Sequence, residues 1–346
     1  MVKMWKYLYR RVNPNFDSEC HTLISLPRPF IVPGGRFIEI YYWDSYWIVL
    51  GLIASGLLSV VRDSLINFFY MVERYGFIPN GSRVYYLDRS QPPLLSSMLR
   101  AYYHVSEDLD FVIEHLPLIE REYNFWMNSL GGHVVELTDE DGKVHLLNRH
   151  YSILGEPRPE SYRMDLLVGE VFEKKYSNDE AVKAEFYRSI RAAAESGWDF
   201  SSRWLRPAIE GAEEKSPYGV VSTTIRASLQ WDSPNVWAPS HHIAVDFLCG
   251  GRFWEKRENV AELKETEAFK IAASWASRFL NTILYRYEHH GICSEKYHCR
   301  ILGKSGLDGE YITQEGFGWT NGAVLDLMWK FGRHLTVDGL FAEVVQ

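Results

Sequence analysis

The chain has 346 residues, with 37 Lys and Arg against 45 Asp and Glu, which gives a net charge of −8. An acidic chain of this kind excludes nucleic acid as the main partner, because phosphate binding relies on clustered Lys and Arg. Hydrophobic residues make up 46% of the chain and aromatic residues 15%, which is enough apolar material for a large core and excludes extended disorder.

Apolar residues at helical spacing predict helices along most of the N-terminal half. The first stretch, Ser45–Tyr75, is predicted as one long helix or two consecutive helices. Asp44 is its predicted cap and Gly76 its predicted stop, since Asp accepts amide protons at helix starts and Gly ends helices. Two further helices are predicted, at Pro92–Glu107 and Asp108–Leu130.

A β-hairpin and four more helices are predicted downstream. The segments His133–Thr138 and Lys143–Asn148 alternate between apolar and polar residues on either side of Glu140-Asp141-Gly142, which is typical of a hairpin. The predicted helices are Tyr162–Lys175, Asn178–Glu195, Thr266–His290 and Trp319–His334.

The loops between these helices combine aromatic residues with charges, Gly and Pro, and loops on a rigid scaffold often carry function. Two interpretations of the aromatic residues stay open: a bulky core, or a pocket in which rings cover the faces of a sugar. These loops are Pro33–Asp44, Gly76–Pro93, Glu156–Tyr162, Ser196–Trp204, Gln230–Pro239 and Ser294–Asn321.

Two of these loops carry candidate chemistry. Asp199 stands between aromatic residues, where desolvation would raise its pKa as a general acid requires; a helix cap is the alternative. Gly197 would let the backbone approach a ligand closely. The glycines that precede Glu310 predict either a loop that closes over a ligand or an ordinary surface loop.

A metal site is not favoured. Cys293 and Cys299 lie near several histidines, but their spacing matches no standard zinc pattern.

Six dispersed motifs resemble those of the trehalases, the glycoside hydrolases that split α,α-trehalose into two glucose molecules. They occur in family order over nearly the whole chain, which a lone motif match does not achieve. They are Pro33–Tyr46, which resembles the first family signature, Arg83–Pro93, Pro157–Tyr162, Ser196–Trp204, Gln230–Pro239, which resembles the second signature, and Phe317–Gly322.

The resemblance implies an all-α (α/α)6 toroid of the six-hairpin glycosidase type, incomplete here and with a small β-hairpin, as a single catalytic domain over residues 1–346. It implies an inverting hydrolysis of trehalose by water, with Asp199 as general acid and Glu295 as general base, and without a metal or organic cofactor. The sugar-contacting positions it implies are Arg36, Trp43, Asp44, Asn80, Arg89, Ser90, Gln91, Arg158, Pro159, Glu160, Gly197 and Glu310.

The sequence departs from the family in the interval between the predicted acid and base, which is shorter than in relatives. We expect an internal deletion between Ile225 and Gln230, with exposed apolar residues near both ends. Since each large apolar side chain left exposed forgoes about 1.5–3 kcal/mol, the deletion would be costly. Two alternatives therefore stay open: a catalytically impaired sugar-binding or regulatory isoform, and a non-functional product of an incorrect transcript.

The predicted location follows from the start of the chain. The basic, aromatic N-terminus has no apolar export segment, so the chain taken literally is predicted to be cytoplasmic. The resemblance implies that full-length animal relatives are commonly secreted or membrane-attached.

Overall fold

Helices dominate the described part of the chain. The computed structural model describes residues 1–335 apart from residues 14, 16, 18, 176–178, 202–203, 205–228, 251–265 and 308. The α-helices in this part are α1 (Trp5–Leu8), α2 (Asp44–Ala54), α3 (Leu58–Tyr75), α4 (Leu95–Ser106), α5 (Leu109–Met127), α6 (Tyr162–Lys175), α7 (Glu180–Glu195), α8 (Ala238–Leu248), α9 (Glu267–His290) and α10 (Gly318–Phe331). Three antiparallel pairs hold the strands: β1 (Tyr9–Arg10) with β2 (Phe30–Ile31), β3 (Val134–Thr138) with β4 (Val144–Asn148), and β5 (Asn235–Trp237) with β6 (Lys296–His298).

The first predicted helical stretch is two helices, α2 and α3, separated by a turn at residues 55–57. Gly76 ends α3 with a φ of 86°, a left-handed conformation that favours glycine. The prediction of Asp44 as a cap is wrong. Helix α2 begins at Asp44 itself, Trp43 is the N-cap residue, and no side chain caps the helix. The Asp44 side chain instead lines the cavity described below.

Two of the predicted helices have a side-chain cap at their first turn. The Asp108 carboxylate accepts the Phe111 N–H at 3.1 Å, and the Thr266 hydroxyl accepts the Phe269 N–H at 3.2 Å. The predicted hairpin is confirmed, with Val134 opposite Asn148 and Thr138 opposite Val144. Local hydrogen bonds therefore fix the start of α5 and of α9, and the cross-strand pairing fixes the hairpin.

Helices α2 and α10 approach each other closely because both carry glycine at the contact. A Cβ at Gly51 would lie within 3 Å of the Gly322 backbone, and a Cβ at Gly322 would collide with the Trp47 carbonyl group. Trp47 is fully buried beside this contact. The close approach brings the N-terminal ends of the two helices, and with them Trp43 and Trp319, to one rim of the core, where their rings are 5.6 Å apart.

The pairing of β5 with β6 was not predicted from the sequence, and neither was α8. Trp237 lies opposite Lys296, and Val236 lies opposite Tyr297. Because strands of three residues have no resolvable period, such a long-range pairing leaves little local trace. Its effect is large, since it joins the motif Gln230–Pro239 to the segment that holds Glu295.

The predicted site of the deletion, between Ile225 and Gln230, lies largely outside the described residues, because residues 225–228 are not among them. On the described side of the predicted junction, Gln230 is 1% exposed and Trp231 is 2% exposed. The expected exposure of apolar residues is therefore not found at that end.

In the described part of the chain, none of the helices combines the length and apolar character needed to cross a membrane.

Candidate active site

A cavity of about 980 Å³ is lined mainly by the aromatic and charged loops identified in the sequence. This volume lies at the upper end of the range for small-molecule sites, about 300–1,000 Å³. The predicted site residues that line it are Arg36, Trp43, Asp44, Asn80, Arg89, Gln91, Arg158, Pro159, Glu160, Gly197, Asp199, Glu295 and Glu310. Segments far apart in sequence thus meet at one site.

Ser90 is the one predicted site residue that does not line the cavity. Its hydroxyl donates to the Ile78 carbonyl oxygen at 2.7 Å, and its N–H donates to Glu195 Oε1 at 3.2 Å. The side chain is fully buried. In this structure Ser90 holds the loop that presents its neighbours Arg89 and Gln91, and its contact with sugar stays a prediction.

Asp199 lies just beyond α7, behind a glycine that the geometry requires. Gly197 has a φ of 74°, and a Cβ there would lie 2.8 Å from two atoms of the Trp43 ring. A side chain at this position would therefore collide with Trp43, whereas the backbone of Gly197 lines the cavity. The Phe200 carbonyl oxygen accepts the Trp231 N–H at 3.0 Å, which ties the Asp199 loop to the Gln230–Pro239 motif.

The surroundings of Asp199 favour its protonated form. Its pKa is raised to about 7, first by burial and next by the negative charge of Glu310, while Arg158 and Arg89 lower it. A carboxyl that keeps its proton near neutral pH can act as a proton donor.

Glu295 differs from Asp199 in the hydrogen bonds that its carboxylate accepts. Burial raises its pKa to about 7, but the donors around it favour the ionised form. The Tyr311 hydroxyl donates to Oε1 at 2.7 Å, and the Gln314 N–H donates to Oε2 at 3.1 Å. The Trp319 indole N–H donates to the Glu295 carbonyl oxygen at 3.1 Å, so backbone and side chain are both fixed.

Two arginines are held in the cavity wall by carboxylates behind them. Arg158 forms a two-pronged pair with Asp165 of α6, at 3.0 and 2.8 Å. Arg89 pairs with Glu160 at 2.5 Å and with Asp88 at 3.3 Å. Both arginines are nearly buried, and planar guanidinium groups fixed in this way offer paired donors to neighbouring hydroxyls.

Two further carboxyls face the same space. The pKa of Asp44 is raised well above its usual range by burial and then by the charges of Glu295 and Asp199. The pKa of Glu310 is also raised by burial, with Arg158 opposing the rise at an N–O distance of 3.9 Å. The mutual influence of these charges shows that all four carboxyls share one electrostatic environment.

Several aromatic rings of the cavity were not among the predicted site residues: Trp231, Trp237, Tyr311, Phe317 and Trp319. The rings of Trp231 and Trp237 stack with centroids 4.1 Å apart, and Trp319 meets Trp237 edge to face at 5.6 Å. All five residues lie in loops that the sequence marked as aromatic and charged. The large number of aromatic residues in these loops indicated that some of them could line a site. Composition alone could not distinguish the rings of the core from the rings of the cavity.

Glu195 links the hairpin, the Ser90 loop and the Asp199 loop. It accepts N–H bonds from Ser90 and Tyr151, the latter at 2.9 Å, and His133 Nε2 lies 3.1 Å from its carboxylate. These partners lower the pKa of Glu195 to about 2 although burial opposes the shift. The carboxylate therefore ties the segment before Asp199 to the Ser90 loop and to both ends of the hairpin.

We expect Glu195→Gln to lower the free energy of unfolding by about 3 kcal/mol at neutral pH, given about 1.4 kcal/mol per pH unit of pKa shift. Because the folded-state pKa is depressed, this contribution is present above about pH 4.5 and is lost as the pH falls toward about 2. Urea unfolding of both proteins across this range measures it. Glu185→Gln, at an exposed position of α7, is the matched control. A difference that does not shrink on acidification would contradict this account.

The cysteines near the predicted base do not line the cavity. Cys293 and Cys299 are fully buried thiols outside any disulfide. In the part of the chain that the structure describes, no group of three or more His, Cys, Asp or Glu is arranged to hold a metal ion.

The fold has a counterpart among solved structures. It resembles the neutral trehalase of Saccharomyces cerevisiae with a TM-score of 0.57 at 19% sequence identity, over 88% of this chain and 74% of that one. The likeness confirms the predicted class, an α/α toroid.

Sequence comparison then places the chain within one family. The trehalase family model matches residues 1–216 and 207–332. The chain is 31% identical to a probable trehalase of Oryza sativa subsp. japonica, over 95% of this chain and 77% of that protein. It is 30% identical to the trehalases of Tenebrio molitor, over 96% of this chain and 77% of that protein, and of Homo sapiens, over 96% and 73%. The chain belongs to the trehalase family.

Proposed function

We propose that this protein hydrolyses α,α-trehalose to two glucose molecules with inversion at the attacked carbon. The observation that carries the proposal is the presence of Asp199 and Glu295 in one cavity, each with a raised pKa and each in a different hydrogen-bonding environment. Membership of the trehalase family supplies the substrate. The reaction uses trehalose and water, and the proposed mechanism involves no cofactor.

The two environments support a different proposed role for each carboxyl. Asp199, whose protonated form is favoured by burial and by Glu310, donates its proton to the glycosidic oxygen as the bond to the attacked carbon breaks. Glu295, whose ionised form is favoured by two donors, takes a proton from water as the water oxygen bonds to that carbon. In an inverting enzyme the two carboxyls stand about 6.5–9.5 Å apart to leave room for this water.

The rest of the cavity suits a sugar. Arg89 and Arg158 supply fixed donors, Asn80 and Gln91 supply amides, and Glu160 supplies an acceptor, which together match the hydroxyl edges of glucose. The rings of Trp43 and its neighbours cover apolar faces. We therefore propose all predicted contacts that line the cavity as sugar-binding positions.

The direct test is glucose release from trehalose by the purified chain, with maltose as the matched disaccharide control. NMR of the first products distinguishes the stereochemical course. Inversion gives equal amounts of α- and β-glucose, because one ring is attacked and the other leaves unchanged, whereas retention gives only the α-anomer. Thermal stabilisation by trehalose without any glucose would overturn the proposal and indicate a sugar-binding protein.

We also propose that the chain is one catalytic domain that lacks an internal segment present in its relatives. The alignment with the rice protein covers 455 positions, more than the 346 residues of this chain, so that relative has residues without a counterpart here. The two family-model segments meet over residues 207–216, upstream of the expected junction at Ile225–Gln230. The segment is therefore proposed to be missing between residues 207 and 230.

An apolar stripe on α6 supports this proposal. Met164, Leu167, Val168 and Val171 follow helical spacing on one face of α6 and are 47–62% exposed. A different face of the same helix buries Asp165 and Gly169. A stripe with this spacing usually packs against another element, and a missing helical segment would account for its exposure.

Insertion of the corresponding segment from the Tenebrio molitor relative between Ile225 and Gln230 is expected to raise kcat/KM for trehalose. We expect a gain of at least about tenfold, equivalent to about 1.4 kcal/mol of transition-state stabilisation. The melting transition should sharpen and binding of a hydrophobic dye should fall as apolar surface is covered. A flexible glycine-serine insert of equal length is the control. Equal activity and equally cooperative melting of the original chain would contradict the need for the segment.

A further inference from the structure

Tyr311 stands out because its hydroxyl meets the proposed base directly. The hydroxyl donates to Glu295 Oε1 at 2.7 Å, while the other carboxylate oxygen takes the Gln314 N–H. Of these two donors, the Gln314 amide belongs to the backbone and persists whatever the side chain. The Tyr311 hydroxyl is the contact that a single side chain controls.

The Tyr311 ring is fixed by residues of the Pro33–Tyr46 motif. The Arg36 guanidinium carbon lies 5.1 Å from the ring centroid, and the Phe37 ring meets it edge to face at 5.4 Å. The Arg36 N–H donates to the Gln314 side-chain oxygen at 2.8 Å, so the same motif also fixes the second donor segment. A ring held on two sides aims its hydroxyl at one carboxylate oxygen.

We propose that Tyr311 is a positioning residue that orients Glu295 and holds it in the ionised form required of a general base. The inference rests on the proposed function, and it goes further by assigning a residue that acts on the base and not on the sugar. A hydrogen bond from a neutral hydroxyl to a carboxylate stabilises the charged form and fixes the plane of the carboxyl group. The remaining lone pairs then point in set directions, where a water molecule can be held.

Other groups also influence the pKa of Glu295, and they are the same with and without the Tyr311 hydroxyl. Lys296 of β6 and Arg36 favour its ionised form, whereas burial opposes it. The nearby carboxyls Asp44 and Asp199 interact with Glu295 and with Tyr311, respectively. The pKa of the Tyr311 hydroxyl is itself raised well above its usual range by burial and by Glu295, so Tyr311 stays protonated and remains a donor.

Tyr311→Phe removes the hydroxyl and keeps the ring between Arg36 and Phe37. Activity requires ionised Glu295 and is therefore lost as the pH falls through the pKa of this carboxyl. The Tyr311 hydroxyl stabilises the ionised form, so its removal raises the pKa of Glu295. The acidic limb of the kcat/KM profile then moves to higher pH. We expect a rise of about one pH unit, the order of one charge-assisted hydrogen bond. Tyr102→Phe is the control, since the Tyr102 hydroxyl also donates to a carboxylate, Asp108 Oδ2 at 3.4 Å, but does so outside the cavity; it should leave the limb in place.

Two further measurements keep the inference open to refutation. A ring-fluorinated tyrosine at position 311, a stronger donor, should move the acidic limb to lower pH. Labelling of the Glu295 peptide by a water-soluble carbodiimide, which reacts with protonated carboxyls, reports the same ionisation without turnover and should show the same opposite shifts. An unmoved labelling midpoint in both variants would overturn the role of Tyr311. An absence of glucose release with shifted midpoints would reject the proposed function alone.

Discussion

Asp199→Asn is expected to lower kcat for trehalose by about 100- to 10,000-fold, the usual contribution of a positioned proton donor. The amide keeps the size of the side chain but has no proton to give to the departing glycosidic oxygen. Trehalose affinity should change little, because Arg89 and Arg158, which we propose to bind the sugar, are held by other carboxylates. The alkaline limb of the pH profile should disappear, since it reports deprotonation of Asp199, whose pKa is raised to about 7.

A substrate that needs no acid isolates this role. Fluoride leaves without protonation, so Asp199→Asn should retain much of the hydrolysis of α-glucosyl fluoride while losing that of trehalose. Asp110→Asn, at an exposed position in the first turn of α5, is the matched control and should behave as the parent. Equal losses on both substrates would show that Asp199 shapes the site and does not donate the proton.

The sequence could predict the parts of this fold that local chemistry determines. The predicted helices Asp108–Leu130 and Thr266–His290 begin at residues whose side chains cap the first turn, an interaction that acts within one helical turn. The Asp44 capping prediction failed because a buried cavity position outweighed a local preference. Asp44 begins α2 and faces other carboxyls, a placement that depends on residues far away in sequence.

Motifs that hold several residues together predicted residues that line the cavity, whereas contacts made between motifs were not predicted. Arg158 and Glu160 follow from one segment, whereas Asp165, which fixes Arg158, lies in the next helix and carries no motif. Tyr311 acts on Glu295 only because the loop after Gly306 folds back onto it. Such long-range contacts depend on packing geometry that residue patterns do not encode locally.

Glu295→Gln is expected to lower kcat by about 100- to 10,000-fold on trehalose and on α-glucosyl fluoride alike. Both substrates need a water molecule to lose a proton as it attacks, and the amide cannot accept that proton. The acidic limb of the pH profile should vanish, since it reports ionisation of Glu295. In this way Glu295→Gln and Asp199→Asn should differ in their effect on the fluoride, which separates base from acid.

A small anion can replace water as the nucleophile in Glu295→Gln, because an anion does not need a base to remove a proton. Azide should attack the anomeric carbon of α-glucosyl fluoride directly, expel fluoride and yield β-glucosyl azide, which chromatography and NMR identify. The Gln amide also turns an N–H toward Tyr311 or the Gln314 N–H, so trehalose-dependent stabilisation should be measured to show that the cavity persists. Glu288→Gln, exposed on α9, is the control. Substantial fluoride hydrolysis by Glu295→Gln, with no azide product, would assign the base to another carboxyl of the cavity.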